Sequence, residues 1–350
     1  MHKVIPVVVT LTTGALGALA FYVLHAPAAF LTGSAIAVTV LVMAGFKAEL
    51  PAALREPGLS ILGLMLGSSV TPGTLSTLAT IPAAVAGLVL AAAGATVASY
   101  LVLRHLGRWD RVTAFCGSIP GALQTTLIVA HDAGARMDKV VMAQVLRLFI
   151  LVSLVPLVFG GGDGPGLNLD IDAGHGPLDV VLSVAIALSA SFAGRRIGIP
   201  VAPLLAPLLV AALLSASGTL TLAVPPWLGG AAFIILGASV ATRFGTVRGQ
   251  DLLPLLMHSL AAFVAAFVVS VAVSTAFSYL LGEPLGAVFL AYAPGGLDAM
   301  IALSFLLNYD VAFVTVLQVT RLVSLSVLGT VIAARLRRQP GPRPGARPLQ

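Results

Sequence analysis

PGALQTTLIVAHDAGARMDKVVMAQVLRLF at 120–149 aligns without gaps on PGGLDAMIALSFLLNYDVAFVTVLQVTRLV at 294–323, every position lying 174 residues from its counterpart. Apolar matches mean little in a chain this apolar. The coincidence of Pro120 with Pro294, Gly121 with Gly295, Gln144 with Gln318 and Arg147 with Arg321 means more. Each copy carries its Pro-Gly in the middle of an apolar stretch. Proline removes a backbone donor and glycine weakens a helix, so 112–134 and 284–307 read as broken elements, each made of two half-helices. Fainter echoes lie upstream: APAA (26–29) resembles IPVA (199–202), and GSSV (67–70) resembles GASV (237–240).

The 350 residues are 58% hydrophobic and 9% charged, with a mean hydropathy of +1.05. An average soluble domain is about 25% charged; 13 acids and 19 bases cannot cover a water-facing surface of this size. One cysteine, Cys116, and no Gly-X-Y period exclude a disulfide scaffold and a collagen. The expected class is an all-α polytopic membrane protein. A helix needs roughly 20 apolar residues to cross a bilayer. Such runs occur at 4–24, 28–45, 58–73, 74–103 and 138–160, then at 177–194, 199–218, 227–242, 252–281 and 310–334. That makes ten spans beside the two broken, re-entrant elements. Lys3, an apolar run and HAPAA (25–29) imitate a signal peptide, but the run is long for one, so an uncleaved first helix is expected.

The charges orient the spans. Lys3, Lys47, Arg55, the cluster from Arg104 to Lys139, Arg195-Arg196, Arg243, Arg248 and the tail arginines all fall on one side if ten spans are drawn. The acidic stretch 160–179, Glu283 and Asp310 fall on the other. By the positive-inside rule this predicts a bacterial-type inner membrane protein with both termini cytoplasmic. The organisation expected is repeat 1 over 1–160, an external acidic and glycine-rich linker over 161–176, repeat 2 over 177–334 and a basic cytoplasmic tail over 335–350. Five spans per repeat is an odd number, so the second five-helix copy is inverted in the membrane. Inverted repeats with matching broken helices are the sequence sign of alternating-access transporters; a duplication kept only for packing is the plainer alternative.

Two arginines remain inside the hydrocarbon. Arg147 and Arg321 lie near mid-span, where an arginine costs at least about 2.5–3.5 kcal/mol. Gln144 and Gln318 stand one turn before them on the same face. Asp298 follows Pro294-Gly295-Gly296, with Gln124 in its place after Pro120-Gly121. These eleven residues are the expected substrate or ion pathway. Each arginine either orients an anionic solute or caps carbonyls of its broken helix. Asp298 either pairs with an arginine or binds a coupling proton or Na⁺. Thr125, Thr126, Ser68, Ser69 and Ser239 are either liners or helix-packing residues. Trp109 and Trp227 sit at span ends, as interfacial anchors do, and His131-Asp132 reads as a solvated loop.

The segments SIPGALQ…QVLRLFILVSLVP and APGGLDAM…VLQVTRL resemble those of the AbrB membrane-protein family, over about 10–335. The resemblance implies an internal duplication. It brings two labels carried by family members, ammonia monooxygenase and AbrB-type regulator of gene expression. The architecture is also similar, as a fold analogy alone, to the cation/proton-antiporter and bile-acid-symporter class. The copies differ at Gln124 and Asp298, so a symmetric role for these two positions is not implied.

The function expected is a secondary transporter or exporter of a small polar or anionic solute. Its partners would be the lipid bilayer, that solute and, in a homo-oligomer, a second copy. The alternative is a membrane-embedded regulator acting indirectly on gene expression. Direct nucleic-acid binding is not expected, because neither 160–176 nor the basic tail 335–350 can bury a core; the tail reads as a membrane anchor. A monooxygenase is least favoured. No two of His2, His25, His105, His131, His175 and His258 share a helix at ligand spacing, so no catalytic residue, metal ligand or cofactor is assigned beyond a coupling H⁺ or Na⁺.

Overall fold

A computed structural model describes residues 4–70, 81–119, 126, 130–160, 176–218, 222, 224–246 and 252–338, the side chains of 246, 252 and 325–338 excepted. Pro120, Gly121, Gln124, Thr125, most of the linker and the end of the tail lie outside them. Every regular element among the described residues is a helix. The helices are α1 (Val4–Val23), α2 (Ala29–Met43), α3 (Ala52–Ser68), α4 (Ile81–Leu101), α5 (Arg111–Ser118) and α6 (Met137–Phe159), then α7 (Pro177–Arg196), α8 (Ala202–Ala216), α9 (Pro226–Thr242), α10 (Leu252–Leu281), α11 (Leu285–Tyr292), α12 (Leu297–Leu306) and α13 (Val311–Arg338).

The boundaries repeat. Shifting α1 and α2 by 173 residues gives the ends of α7 and α8; shifting α3 and α5 by 174 gives those of α9 and α11. The packing repeats with them, and it is reciprocal. α3 lies on α8 while α2 lies on α9, and α1 on α9 while α3 lies on α7; α4 packs on its own counterpart, α10. Close approach makes the reciprocity sharp. A side chain on Gly63 would strike the carbonyl of Leu204, and one on Gly237 would strike Ser34 and the carbonyl of Leu31. This register corrects one echo: GSSV against GASV paired Gly67 with Gly237, one helical turn out of step. Hydrophobic matching cannot detect a slip of four residues, because it leaves the helix face unchanged.

The APAA and IPVA echo does hold in the backbone. Ala28 and Val201 precede α2 and α8 with φ of 53° and 48°. Left-handed backbone at a β-branched valine is strained. Finding it at equivalent places marks a turn that the fold imposes twice.

Six helices, with their short continuations, are long and apolar enough to cross a membrane: α1, α4, α6, α7, α9 and α10. Among these, α1, α4, α7 and α10 form the periphery, exposing apolar side chains such as Leu16, Val89, Val181 and Val268. Such surfaces suit lipid rather than water. The chain is an all-α polytopic membrane protein. Within that ring α2 and α8 are only 15 residues long, about 22 Å of helix. They pack against the α9 and α3 of the opposite half.

Two sequence boundaries shift for physical reasons. α3 begins at Ala52 rather than 58, carrying Arg55, Glu56 and Pro57 in its first turns. Charges count against a span in a hydropathy reading, yet these two face a polar cavity. α4 continues past Leu101 through a π-helical turn, Val102–Leu106, that curls back over Trp109. Trp109 is therefore no interfacial anchor. It is 1% exposed, packed with Leu103, Ala114 and Ala143, with the Lys139 ammonium 5.3 Å from its ring centroid. Trp227, at the start of α9, is exposed.

Candidate functional site

The second broken element is resolved as two half-helices, with α11 ending at Tyr292 and α12 starting at Leu297. In the first, α5 ends at Ser118 and Asp110 caps its start, accepting from the Thr113 backbone N–H at 2.9 Å. Burial pushes the Asp110 carboxyl up, but the Thr113 and Val112 hydrogen bonds outweigh it and hold it below the ordinary value. A helix that stops inside the membrane leaves its last carbonyls without partners and presents the negative end of its dipole.

Gln144, Arg147, Gln318 and Arg321 answer those carbonyls. Gln144 Nε2 donates to the Cys116 carbonyl at 3.2 Å, and Gln318 Nε2 to the Leu290 carbonyl at 2.6 Å. Arg147 donates to the carbonyls of Ile119 at 3.1 Å and Ser118 at 3.5 Å. Arg321 donates to the carbonyls of Ala293 and Gly295, the latter at 2.7 Å, and to Gln318 Oε1 at 2.6 Å. The acceptors are themselves repeat partners: Cys116 and Leu290, Ile119 and Ala293, each 174 apart. Of the two roles open to the arginines, the geometry displays carbonyl capping. Both are nearly buried, at 6% and 4% exposure.

Capping leaves one edge of this arrangement facing space. A cavity of about 670 Å³ is lined by Gln144, Arg147, Gln318, Arg321, Pro294 to Gly296 and Asp298. So all eight of the described pathway residues meet at one place. Asp298 pairs with an arginine, but with neither of the two in mid-span: its carboxylate lies 3.9 Å from Arg243, at the end of α9. It also occupies the N-terminal first turn of α12, where the helix dipole favours a negative charge.

The rest of the lining escaped the sequence reading. Arg55 and Glu56 from α3, Arg195 from the end of α7 and Arg243 complete the charged wall. Arg195 reaches Glu56 in an ion pair across the α7–α3 contact. The charge count had used these residues only to orient loops. One signal was available: at the repeat offset Arg55, Glu56 and Arg243 fall on Gly229, Gly230 and Ser69, so none has a charged counterpart. Three helix ends assigned to the same membrane side, those bearing Arg55, Arg195 and Arg243, meet around this one cavity.

Among the described residues, the hydroxyl candidates do not line it. Ser68, Ser69 and Ser239 donate to carbonyls of Met65, Leu66 and Leu236 in their own helices. Thr126 is buried and also outside the lining. Ser69 borders a second, smaller cavity of about 140 Å³, with Phe305 and the Asn308–Ala312 turn. By the charge-based topology it lies at the opposite end of the bundle. His131 and Asp132 are exposed and 3.8 Å apart, solvated as the sequence implies, but they are the last helical residues before a turn at 133–134 and not a loop. Among the described residues, no three His, Cys, Asp or Glu side chains gather as metal ligands.

A family described as "Transition state regulatory protein AbrB" matches residues 30–337 of the chain. A protein of Escherichia coli (strain K12) named "Putative regulator AbrB" is 27% identical over 322 residues, covering 89% of this chain and 91% of the relative. A protein of Bacillus subtilis (strain 168) named "Uncharacterized protein YhjN" is 24% identical over 289 residues, covering 77% of this chain and 75% of the relative.

Proposed function

The chain belongs to the AbrB family, and we propose that it is a secondary transporter of a small polar or anionic solute, working by alternating access between two inverted repeats. One observation carries this reading: a cavity of about 670 Å³ reaches from the ends of α3, α7 and α9 to the break of the second re-entrant element at Pro294 to Gly296, with Arg147 and Arg321 in its wall. Broken helices at a repeat interface are where secondary transporters bind their cargo. The reciprocal packing of α2 on α9 and α3 on α8 supplies two equivalent contacts, one to close as the other opens. In this reading the cavity faces the side of the basic loops, taken as the cytoplasm, and the 140 Å³ space beside Asn308–Ala312 is its smaller counterpart toward the other side.

In this scheme the mid-span arginines hold the two breaks in shape, and their remaining positive field draws an anion toward the centre. Asp298, half-neutralised by Arg243, carries the coupling proton or Na⁺. Regulation of gene expression, the role in the name of the Escherichia coli relative, is the second reading; it follows indirectly if the solute transported is itself a signal.

The test is uptake into proteoliposomes of labelled phosphate, succinate, glutamate and glycine, under imposed proton and sodium gradients. Accumulation of one of them above protein-free vesicles is expected, with Asp298→Asn abolishing its dependence on the gradient. Equal uptake with and without protein, across the panel and both gradients, counts against the transporter.

A further inference from the structure

Resting on that reading, the charges of the cavity specify its cargo more closely. Five arginines (Arg55, Arg147, Arg195, Arg243 and Arg321) and two carboxylates (Glu56 and Asp298) line it, an excess of three positive charges among the described residues. Glu56 is matched by Arg195 and Asp298 by Arg243. Arg147 and Arg321 sit against the carbonyl ends of α5 and α11, each end bearing roughly half a negative charge. Arg55 has no such match. It enters no ion pair among the described residues, and its Nε is buried without a hydrogen-bond partner. About two positive charges are therefore left over, in a space sized for a small molecule.

We infer that the cavity binds a small dianion, a dicarboxylate or a phosphate monoester, with Arg55 as its principal ligand and Arg243 exchanging Asp298 for the incoming anion. A guanidinium presents a planar fork that fits either group in two-point contact. The Arg243–Asp298 separation of 3.9 Å is longer than a charge-assisted hydrogen bond, so an anion in two-point contact with Arg243 would hold it more closely than Asp298 does. Recruitment releases Asp298 at the N-terminus of α12. Substrate entry and the protonation or ion occupancy of Asp298 are then linked through one side chain, which is what coupling requires. The specificity residues thus have no charged counterpart in the other repeat, while the residues common to both repeats build the frame.

Thermal stabilisation of the purified full chain by added ligand reads binding directly, because a ligand that binds the folded state raises its melting temperature. The probes are succinate and glycerol 3-phosphate, with acetate and glycerol as monoanionic and neutral controls. At least one dianion is expected to stabilise the protein, losing at least tenfold in apparent affinity in Arg55→Gln and in Arg243→Gln, while Arg55→Lys, which keeps the charge but not the fork, falls between parent and Arg55→Gln. Which dianion binds separates carboxylate from phosphate recognition. Stabilisation by acetate equal to that by both dianions would overturn the inference, as would undiminished dianion binding in Arg55→Gln. Binding that follows this pattern without flux in proteoliposomes upholds the dianion site and removes the transporter reading. Flux of glycine alone, without dianion binding, does the reverse.

Discussion

Replacing Arg321 by methionine separates a scaffolding arginine from one kept only for cargo. A cargo-binding cation buried without protein partners destabilises the empty protein, so removing it leaves stability unchanged or raises it. Arg321 has partners: the carbonyls of Ala293 and Gly295 and the side-chain oxygen of Gln318. Arg321→Met orphans three acceptors in a buried place, and each unpaired acceptor costs about 1–3 kcal/mol. Relief of the arginine's own desolvation offsets part of that, leaving a net loss of about 3 kcal/mol, within the range for breaking a buried charged pair. At about 2.1 cal/mol/K of unfolding entropy per residue, a chain of 350 residues shifts by roughly 1.4 °C per kcal/mol, so the melting temperature of the detergent-purified protein should fall by about 4 °C. Arg147→Met, which orphans the carbonyls of Ile119 and Ser118 with the longer contacts, should fall by about half as much. Arg321→Lys should lie between, since one ammonium cannot span the fork. Differential scanning fluorimetry on the buried Trp109 reads all three. A melting temperature for ligand-free Arg321→Met equal to or above that of the parent refutes the reasoning.

Further outcomes follow from the same geometry. Gln318→Leu strands the Leu290 carbonyl now held at 2.6 Å and should cost about 1–3 kcal/mol, more than Gln144→Leu with its 3.2 Å bond, measured as paired melting shifts. Gly63→Val and Gly237→Val each drive a branched side chain into backbone of the opposite half; both should abolish monodisperse protein on size exclusion, whereas Gly245→Val, whose added Cβ meets only Val42 at 3.9 Å, should not. Glu283 has its carboxyl raised by burial and by the nearby Asp310. A raised acid favours the folded state fully below its unfolded value near 4.5 and loses that contribution as pH rises through the folded value. Glu283→Gln should therefore raise the melting temperature at pH 7 and leave it unchanged at pH 4.

How much of this was legible in the sequence depends on what each signal encodes. Composition and run length suffice for the class, because a bilayer admits few backbone solutions. Pro294-Gly295-Gly296 locates the second break because those residues oppose helix by their own covalent structure. The repeat arginines stood out because a charge in hydrocarbon is costly wherever it points. What they hold was not legible: capping at Ile119 and Ala293 depends on a half-helix ending 28 residues earlier in the chain, at a place set by tertiary packing. Arg55, Glu56 and Arg243 were hidden for the opposite reason. Near a span end a charge looks like loop solvation, and only the meeting of three helix ends turns them inward. Trp109 misled in the same way, since α4 does not stop where its apolar run stops.

The central claim is that the cavity floor is reached from each side of the membrane in turn, and one labelling measurement tests it without knowing the cargo. Leu322→Cys, in a Cys116→Ala background, places a thiol at the cavity wall beside Arg321. A membrane-impermeant thiol reagent is applied to oriented vesicles from one face or the other. Alternating access predicts that the whole population is modified from either side, faster from the side of the basic loops, to which the cavity is open. Complete modification from that side with none from the other, however long the exposure, contradicts it and leaves a one-sided vestibule.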